Sequence, residues 1–278
     1  MDNIICGNGS DEILSLFANC FAGEGDEIVY SEHGFLVYPI ATKAAGATPV
    51  VAKEKRYKAD VDEIINVCTN KTKVCFIANP NNPTGTYLNR NQLITLRKKL
   101  PKSCLLVIDS AYAEYVEKDD YTNGFELVNK FNNVACTRTF SKIYGLAGVR
   151  IGYLISSPER IAQLKKCTMA GTNMLATHAA MTAYDEKSFF DYSLGKNKEA
   201  LEIFYDTFEE LNLDYVKSYT NFVFFKTGTH IDEFSKYMKE RGILVGRAFP
   251  PYYDWCRIST GRIEDVRRFT QILKTFYS

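Results

Sequence analysis

The sequence predicts an α/β fold of three layers, a mainly parallel sheet with helices on both faces, followed by a smaller α+β C-terminal domain. Short β-rich apolar runs alternate with helix-like segments as far as residue 167 of the 278-residue chain, a pattern typical of crossover units. From about residue 187 a long charged helix candidate breaks this alternation. We therefore expect a large domain over residues 1–187 and a small domain over residues 188–278.

The predicted strands are DEIVYS (26–31), TPVVAKE (48–54), KVCFIANP (73–80), CLLVIDSAY (104–112), NVACTRTF (133–140) and VRIGYLIS (149–156). The predicted helices are SDEILSLFANCF (10–21), FLVYPIATKAAG (35–46), DVDEIINVCT (60–69), NRNQLITLRKKL (89–100) and SPERIAQLKKC (157–167). A long helix candidate at 187–211 then leads to NFVFFKTG, a helix, ILVGR, CRIST and a closing helix. Crossover units place their functional groups at the carboxyl ends of the strands.

Composition and charge exclude several classes of function. The chain has 34 basic and 33 acidic side chains and no basic run, so we expect no nucleic-acid partner. No apolar run approaches the roughly 18 residues of a membrane helix. The eight cysteines are scattered without a C-x-x-C pair, and the histidines lie at no ligand spacing, so we expect no metal site. Buried, reduced thiols in a cytoplasmic protein are the simplest interpretation.

Two segments have the composition of a phosphate site. GNGSDE (7–12) places glycines and Ser10 where a helix begins, and free backbone N–H groups there attract anions. The alternative is a simple N-cap in which Ser10 or Asp11 satisfies the first turn. Ser141 and Arg150, on either side of a Gly-Leu-Ala-Gly turn, would also suit a phosphate, since arginine offers forked donors.

Polar residues follow two of the predicted strands. NPNNPTG (79–85) is a rigid turn that would hold Asn82 at a strand end, although an ordinary turn has the same composition. In VIDSAY (107–112), Asp109 ends an apolar strand, where an ionised carboxylate needs a cationic or hydrogen-bonding partner. A protonated pyridine nitrogen would be such a partner. The alternative is that Asp109 caps the following turn.

Lys142 lies between an apolar strand and the glycine-rich turn. A lone lysine is most simply a solvated charge, but a neutral amine in such a place is the nucleophile that reacts with an aldehyde. The motifs together suit one ligand with an aldehyde, a ring nitrogen, a phenolate oxygen and a phosphate. Pyridoxal 5'-phosphate carries all of these groups.

The same motifs carry a family resemblance over essentially the whole chain. They are GNGSDE, HGFLVYPIATKAAGA, NPNNPTG, VIDSAY, TRTFSKIYGLAGVRIGY, TNFVFF and CRIST, in this order. The sequence resembles the fold-type I pyridoxal-phosphate aminotransferases, most closely the histidinol-phosphate aminotransferase family. The resemblance implies a homodimer that transfers the amino group of histidinol phosphate to 2-oxoglutarate, a step of histidine biosynthesis.

The resemblance also implies a role for each matching residue. Lys142 would bind the cofactor's aldehyde covalently and act as general acid and base. The other cofactor contacts would be Asp109 at the ring nitrogen, Tyr112 and Asn82 at the phenolic oxygen, Phe35 on the ring face, and Ser10, Asp11, Ser141 and Arg150 around the phosphate. Arg257 would clamp the acidic group of the substrate, with Arg247 as a second candidate.

Three departures and several alternatives accompany the resemblance. Ser110 stands where the family commonly has glutamate, the segment around Arg247 diverges, and we expect the chain to lack a family segment before GNGSDE. An aromatic or another class I/II aminotransferase is the first alternative, and a truncated, non-catalytic cofactor-binding module is the second. A threonine-phosphate decarboxylase is disfavoured because its lysine turn usually carries proline where this chain has Leu146 and Ala147.

Overall fold

A computed structural model of the chain describes residues 2–168 and 171–278. These residues form twelve strands: β1 (Ile4–Gly7), β2 (Glu27–Ser31), β3 (Thr48–Ala52), β4 (Glu54–Lys55), β5 (Lys58–Ala59), β6 (Thr72–Ala78), β7 (Leu105–Asp109), β8 (Val134–Thr139), β9 (Gly152–Ile155), β10 (Tyr215–Val216), β11 (Phe222–Lys226) and β12 (Trp255–Ser259). The α-helices of the same part of the chain are α1 (Ser10–Phe21), α2 (Val37–Ala44), α3 (Val61–Val67), α4 (Arg90–Lys99), α5 (Phe125–Lys130), α6 (Pro158–Cys167), α7 (Met174–Asp185), α8 (Lys187–Glu210), α9 (Ile231–Glu240) and α10 (Ile263–Tyr277).

The largest sheet has seven strands in the order β1-β9-β8-β7-β6-β2-β3. Neighbouring strands from β3 to β8 pair in parallel, whereas β9 is antiparallel to both β8 and β1. The mainly parallel sheet is therefore confirmed. Its central strands β6, β7 and β8 end at Ala78, Asp109 and Thr139, directly before the predicted site segments.

Helices cover both faces of this sheet, as predicted. Alternate residues of β6 belong to different core clusters: Val74 and Phe76 pack with α1, whereas Cys75 and Ile77 pack with α3 and α4. Successive side chains of a strand point to opposite faces, so this division shows that both faces are buried. Ser157 caps α6 with Pro158 at its first position, which explains why that helix begins there.

A second sheet of three antiparallel strands, β10-β11-β12, packs against α8, α9 and α10. Its core is largely aromatic and contains the fully buried Phe204, Phe208, Phe225 and Phe234. The segment ILVGR (243–247) forms no strand beside it. The predicted boundary between residues 187 and 188 falls in the first turn of α8 and stays a prediction.

Several elements escaped the sequence analysis. β1, the β4–β5 hairpin, α5 and α7 were not among the predicted elements, and β4 and β5 have only two residues each. The expectation of buried, reduced thiols fails in two places. Cys6 in β1 is exposed, and Cys20 of α1 forms a disulfide with Cys167 of α6, with their Cα atoms 6.5 Å apart, because the two helices pack side by side. Within the described residues, no helix has the length and apolar character needed to cross a bilayer.

Candidate active site

A cavity of about 150 Å³ lies at the carboxyl edge of the seven-stranded sheet. Every residue predicted to contact the cofactor lines it: Ser10, Asp11, Phe35, Asn82, Asp109, Tyr112, Ser141, Lys142 and Arg150. They come from the N-terminus of α1 and from the segments that follow β2, β6, β7 and β8. Because parallel strands align their carboxyl ends, residues distant in sequence meet at this edge.

The turn that carries Asn82 is fixed by buried hydrogen bonds. The side chain of Asn79 accepts a hydrogen bond from the Leu88 backbone N–H at 2.7 Å and donates one to the Leu88 carbonyl at 3.1 Å. At the end of the turn, Gly85 has a φ of +76°, and a Cβ there would lie 2.5 Å from the Ser218 hydroxyl. This position therefore requires glycine.

Asp109 is a buried carboxylate, only 4% exposed, at the end of β7. It accepts a hydrogen bond from the Tyr38 hydroxyl at 3.0 Å and another from the Thr137 hydroxyl at 2.8 Å. Burial raises the pKa of Asp109, while the hydrogen bonds from Thr137 and Tyr38 oppose that rise. No salt bridge joins it to a described residue. A cationic group in the cavity would supply the missing partner.

Lys142 lies in the turn after β8, and its Nζ is 5.2 Å from the centre of the Tyr112 ring. Its amine forms no salt bridge or hydrogen bond with the described residues. It lies near the Tyr112 ring and lines the cavity. An amine in this position is accessible to a small molecule bound between Tyr112 and Asp109.

The N-terminus of α1 lines the cavity through Ser10 and Asp11. Gly9 precedes the helix with a φ of +88°, and no side chain of the described chain caps the first turn. The simple N-cap interpretation of Ser10 and Asp11 is therefore wrong, and the first N–H groups remain available.

Arg150 lies beside this helix end. It donates to the Asp11 carboxylate at 3.1 Å, and a Cβ at Gly9 would lie 2.3 Å from the Arg150 guanidinium. Ser141 accepts from the Thr139 hydroxyl at 2.9 Å.

The two predicted substrate arginines lie beside the cavity rather than among the residues that line it. Arg257 of β12 donates to the Asn82 side-chain oxygen at 2.6 Å. Its Cζ is 5.4 Å from the centre of the Phe249 ring, and the Cζ of Arg247 is 4.3 Å from the same ring. Burial lowers the pKa of Arg257, and the nearby charge of Arg247 lowers it further. The two cations therefore share one aromatic platform.

Sequence reasoning missed two residues that shape the site, Tyr38 and Thr137. Both hydroxyls bind Asp109, from α2 and from β8. The segment 35–46 predicted a helix that includes Tyr38, but nothing local indicated a polar contact 71 positions away.

Known proteins resemble the chain in both sequence and fold. The sequence model of the family "Aminotransferase class I and II" matches residues 1–273. The chain belongs to this family. The histidinol-phosphate aminotransferase of Rhodospirillum centenum is 44% identical to the chain, and the aligned part covers 87% of this chain and 68% of that protein. The one from Paramagnetospirillum magneticum is 40% identical over 98% of this chain and 77% of that protein.

A solved structure confirms the fold. The crystal structure of histidinol-phosphate aminotransferase from Sinorhizobium meliloti in complex with pyridoxal-5'-phosphate aligns with a TM-score of 0.90 and 23% identity, over 99% of this chain and 77% of that one. The predicted fold-type I architecture is confirmed, and so is the cofactor: the protein is a pyridoxal-phosphate-dependent aminotransferase. Its cavity suits that cofactor, because a buried carboxylate without a salt-bridge partner among the described residues and the uncapped N-terminus of α1 both line it.

Proposed function

We propose that this aminotransferase moves the amino group of histidinol phosphate to 2-oxoglutarate, a step of histidine biosynthesis. The observation that carries the proposal is one cavity that contains Lys142, the buried Asp109 and the N-terminus of α1 beside Arg150. The names of relatives 40% and 44% identical to the chain support the choice of amino donor.

The same residues would hold the cofactor. Asp109 would pair with the ring nitrogen, Tyr112 and Asn82 would bind the phenolic oxygen, and Phe35 would lie on the ring face. Ser10, Asp11, Ser141 and Arg150 would surround the phosphate, in part through the first N–H groups of α1. When bound, pyridoxal phosphate supplies an electron sink that makes the proton on the amine-bearing carbon of the substrate acidic.

Lys142 would then transfer that proton. Its Nζ lies 5.2 Å from the centre of the Tyr112 ring and lines the cavity, so it would remove that proton and return it later in the cycle. Asp109 would provide the negative charge that pairs with the protonated ring nitrogen. The hydroxyls of Tyr38 and Thr137 each donate to one of its oxygens and fix the orientation of the carboxylate.

Arg257 and Arg247 would bind the acidic groups of both substrates. Histidinol phosphate carries a phosphate, whereas 2-oxoglutarate carries carboxylates, and a guanidinium forms forked hydrogen bonds with either group. The proposal is supported by the two guanidinium groups near the shared Phe249 ring, one of which donates to Asn82.

Steady-state assays with histidinol phosphate, phenylalanine and tyrosine as donors test the substrate. We expect the highest kcat/KM with histidinol phosphate. A preference for an uncharged aromatic amine would contradict this substrate and leave the aminotransferase class intact.

Borohydride reduction should attach the cofactor to the peptide that contains Lys142. Lys142→Ala should abolish the label. Lys226→Ala is the control and should retain it, because Lys226 pairs with Asp254 and does not line the cavity.

We infer that the working unit is a homodimer. Along α7 and the start of α8 the large apolar side chains Met174, Leu175, Met181, Tyr184, Phe189 and Tyr192 are exposed. Large exposed apolar side chains concentrated on neighbouring helices are what a protein–protein interface would cover. Light scattering with cofactor present should give twice the 31.6 kDa chain mass, and Leu175→Glu should favour the monomer. A wild-type monomer at high concentration would exclude this assembly.

The predicted domain division at residues 187 and 188 and the cytoplasmic location also remain proposals. Separate core clusters within the two sheets support the division. Limited proteolysis that releases fragments with ends near residue 187 would support it further, and cleavage confined to the termini would argue against it.

A further inference from the structure

A buried polar network lies next to the cofactor cavity but does not line it. His33 and Glu54 form its centre, with side chains only 3% and 1% exposed, and the His33 Nδ1 is 3.2 Å from a Glu54 oxygen. A carboxylate accepts hydrogen bonds, so Nδ1 is the donor. The other ring nitrogen, Nε2, is buried without a hydrogen-bond partner among the described residues. The imidazole therefore makes its polar contact through Nδ1 alone.

Glu54 connects the two segments that carry predicted cofactor contacts. Ser31 donates to its Oε1 at 2.6 Å, and the Asn81 side chain donates to the same oxygen at 3.2 Å. Ser31 ends β2, four residues before Phe35, and Asn81 directly precedes Asn82. A buried carboxylate with three donors restrains both segments, because displacing either one would leave buried groups unpaired.

The face of the His33 ring contacts the other side of the site. It stacks on Tyr252, with ring centres 4.2 Å apart and planes inclined by 28°. Tyr252 donates its backbone N–H to the Phe249 carbonyl at 2.8 Å, and Phe249 is the ring that Arg247 and Arg257 share. The imidazole is thus linked to the Phe35 and Asn82 segments through Glu54, and to the Phe249 loop through Tyr252.

We propose that His33 is a positioning residue with two separable roles. Its Nδ1–H bond to Glu54 holds the segments of Phe35 and Asn82 in place for the cofactor. Its stack on Tyr252 holds Phe249, and with it the substrate arginines, in place for anionic substrates. This inference rests on the proposed roles of Phe35, Asn82 and the arginines.

Two substitutions separate the roles. His33→Asn retains a side-chain N–H close to the position of Nδ1 but loses the aromatic face. His33→Phe retains the face but loses the donor. His230→Asn is the matched control, because His230 also stacks on a tyrosine of the same loop, Tyr253, but lies outside the network. Each variant is characterised by its melting temperature, by cofactor titration of the apoprotein, and by KM for histidinol phosphate and 2-oxoglutarate at saturating cofactor.

The two variants should show opposite patterns. His33→Phe should raise the Kd for pyridoxal phosphate roughly tenfold, the effect of an unpaired buried hydrogen-bonding group, with nearly unchanged KM values. His33→Asn should leave that Kd within about twofold and raise both KM values roughly threefold or more, the range of a lost aromatic contact. His230→Asn should change neither quantity.

Equal changes of Kd and KM in both variants, in proportion to a lower melting temperature, would overturn the proposal in favour of a purely structural role. Unchanged values in both would also overturn it. If a His33 variant does not fold, Ser31→Ala tests the hydrogen bonds of Glu54 and should raise the Kd for pyridoxal phosphate. Tyr252→Leu tests the stack and should raise the KM values. A wild-type protein that binds no pyridoxal phosphate would instead refute the proposed cofactor roles, before any variant is compared.

Discussion

Replacing Asp109 with asparagine should leave the cofactor bound and slow turnover about a thousandfold. The carboxylate is 4% exposed and faces the cavity with two hydroxyl donors. Among the described residues it has no salt-bridge partner, and burial raises its pKa, although the charge of Lys142 in the same cavity opposes that rise. For unit charges about 4 Å apart in a protein, at an effective dielectric constant of about 20, the attraction is about 4 kcal/mol. The asparagine amide has nearly the same shape as the carboxylate but carries no charge, so this attraction is lost. If the attraction acts fully in the transition state, at about 1.4 kcal/mol per factor of ten, the loss is about a thousandfold.

The measurement is kcat with histidinol phosphate at saturating cofactor, together with the single-turnover rate of the donor half-reaction. Cofactor affinity is measured separately, so that a loss of occupancy is not taken for a loss of rate. Asp232→Asn, which removes an exposed carboxylate far from the cavity, is the control and should retain full activity. A kcat within about tenfold of wild type in cofactor-loaded Asp109→Asn would refute the proposed charge pairing, because a tenfold change corresponds to only about 1.4 kcal/mol.

Three further outcomes follow from the same contacts. Tyr38→Phe removes one hydrogen bond from Asp109 and should lower kcat up to roughly tenfold, with little change in substrate KM; an unaltered kcat would contradict the orienting role. Because burial raises the pKa of Asp109, the folded apoprotein binds more protons than the unfolded chain at pH values from its ordinary 3.8 up to the raised pKa. The unfolding free energy of the apoprotein in urea should therefore fall relative to Asp109→Asn as pH rises through that window, and a rise would be the wrong sign. Phe225→Ala, in the aromatic core behind β11, should destabilise the chain by about 3–5 kcal/mol in the same assay, and a loss under about 1 kcal/mol would show that this core is loosely packed.

The strands of the large sheet were the most predictable part of the fold. Each predicted apolar run between residues 26 and 156 contains a strand of the seven-stranded sheet. Strands buried on both faces are continuous apolar runs, and this is the strongest local signal that a strand gives. Elements with weaker signals were missed. β4 and β5 are too short to show alternation, and the small residues of α7 do not mark a buried face.

The location of the site was predictable for a related reason. Asp109 ends a strand, and Asn82 and Lys142 follow strands, and the carboxyl ends of these strands meet at one edge. Their proximity therefore follows from the topology once the strands are known. Their chemical roles stay predictions. The hydroxyls on Asp109 and the pair of His33 with Glu54 could not be predicted, because hydrogen bonds between residues far apart in sequence leave no periodic pattern.

The stretch from His33 to Tyr38 shows how much one short segment can contribute to the site. His33 reaches Glu54 and Tyr252, Phe35 lines the cavity, and Tyr38 binds Asp109. The turn is tight: a Cβ at Gly34 would lie 2.9 Å from the Ser31 carbonyl oxygen and 3.1 Å from the Tyr38 ring. Three attachments to different elements leave this backbone little freedom. The proposed stack of the cofactor ring on Phe35 would therefore depend on contacts outside the cavity, and loss of the His33 donor should weaken cofactor binding although Phe35 itself is unchanged.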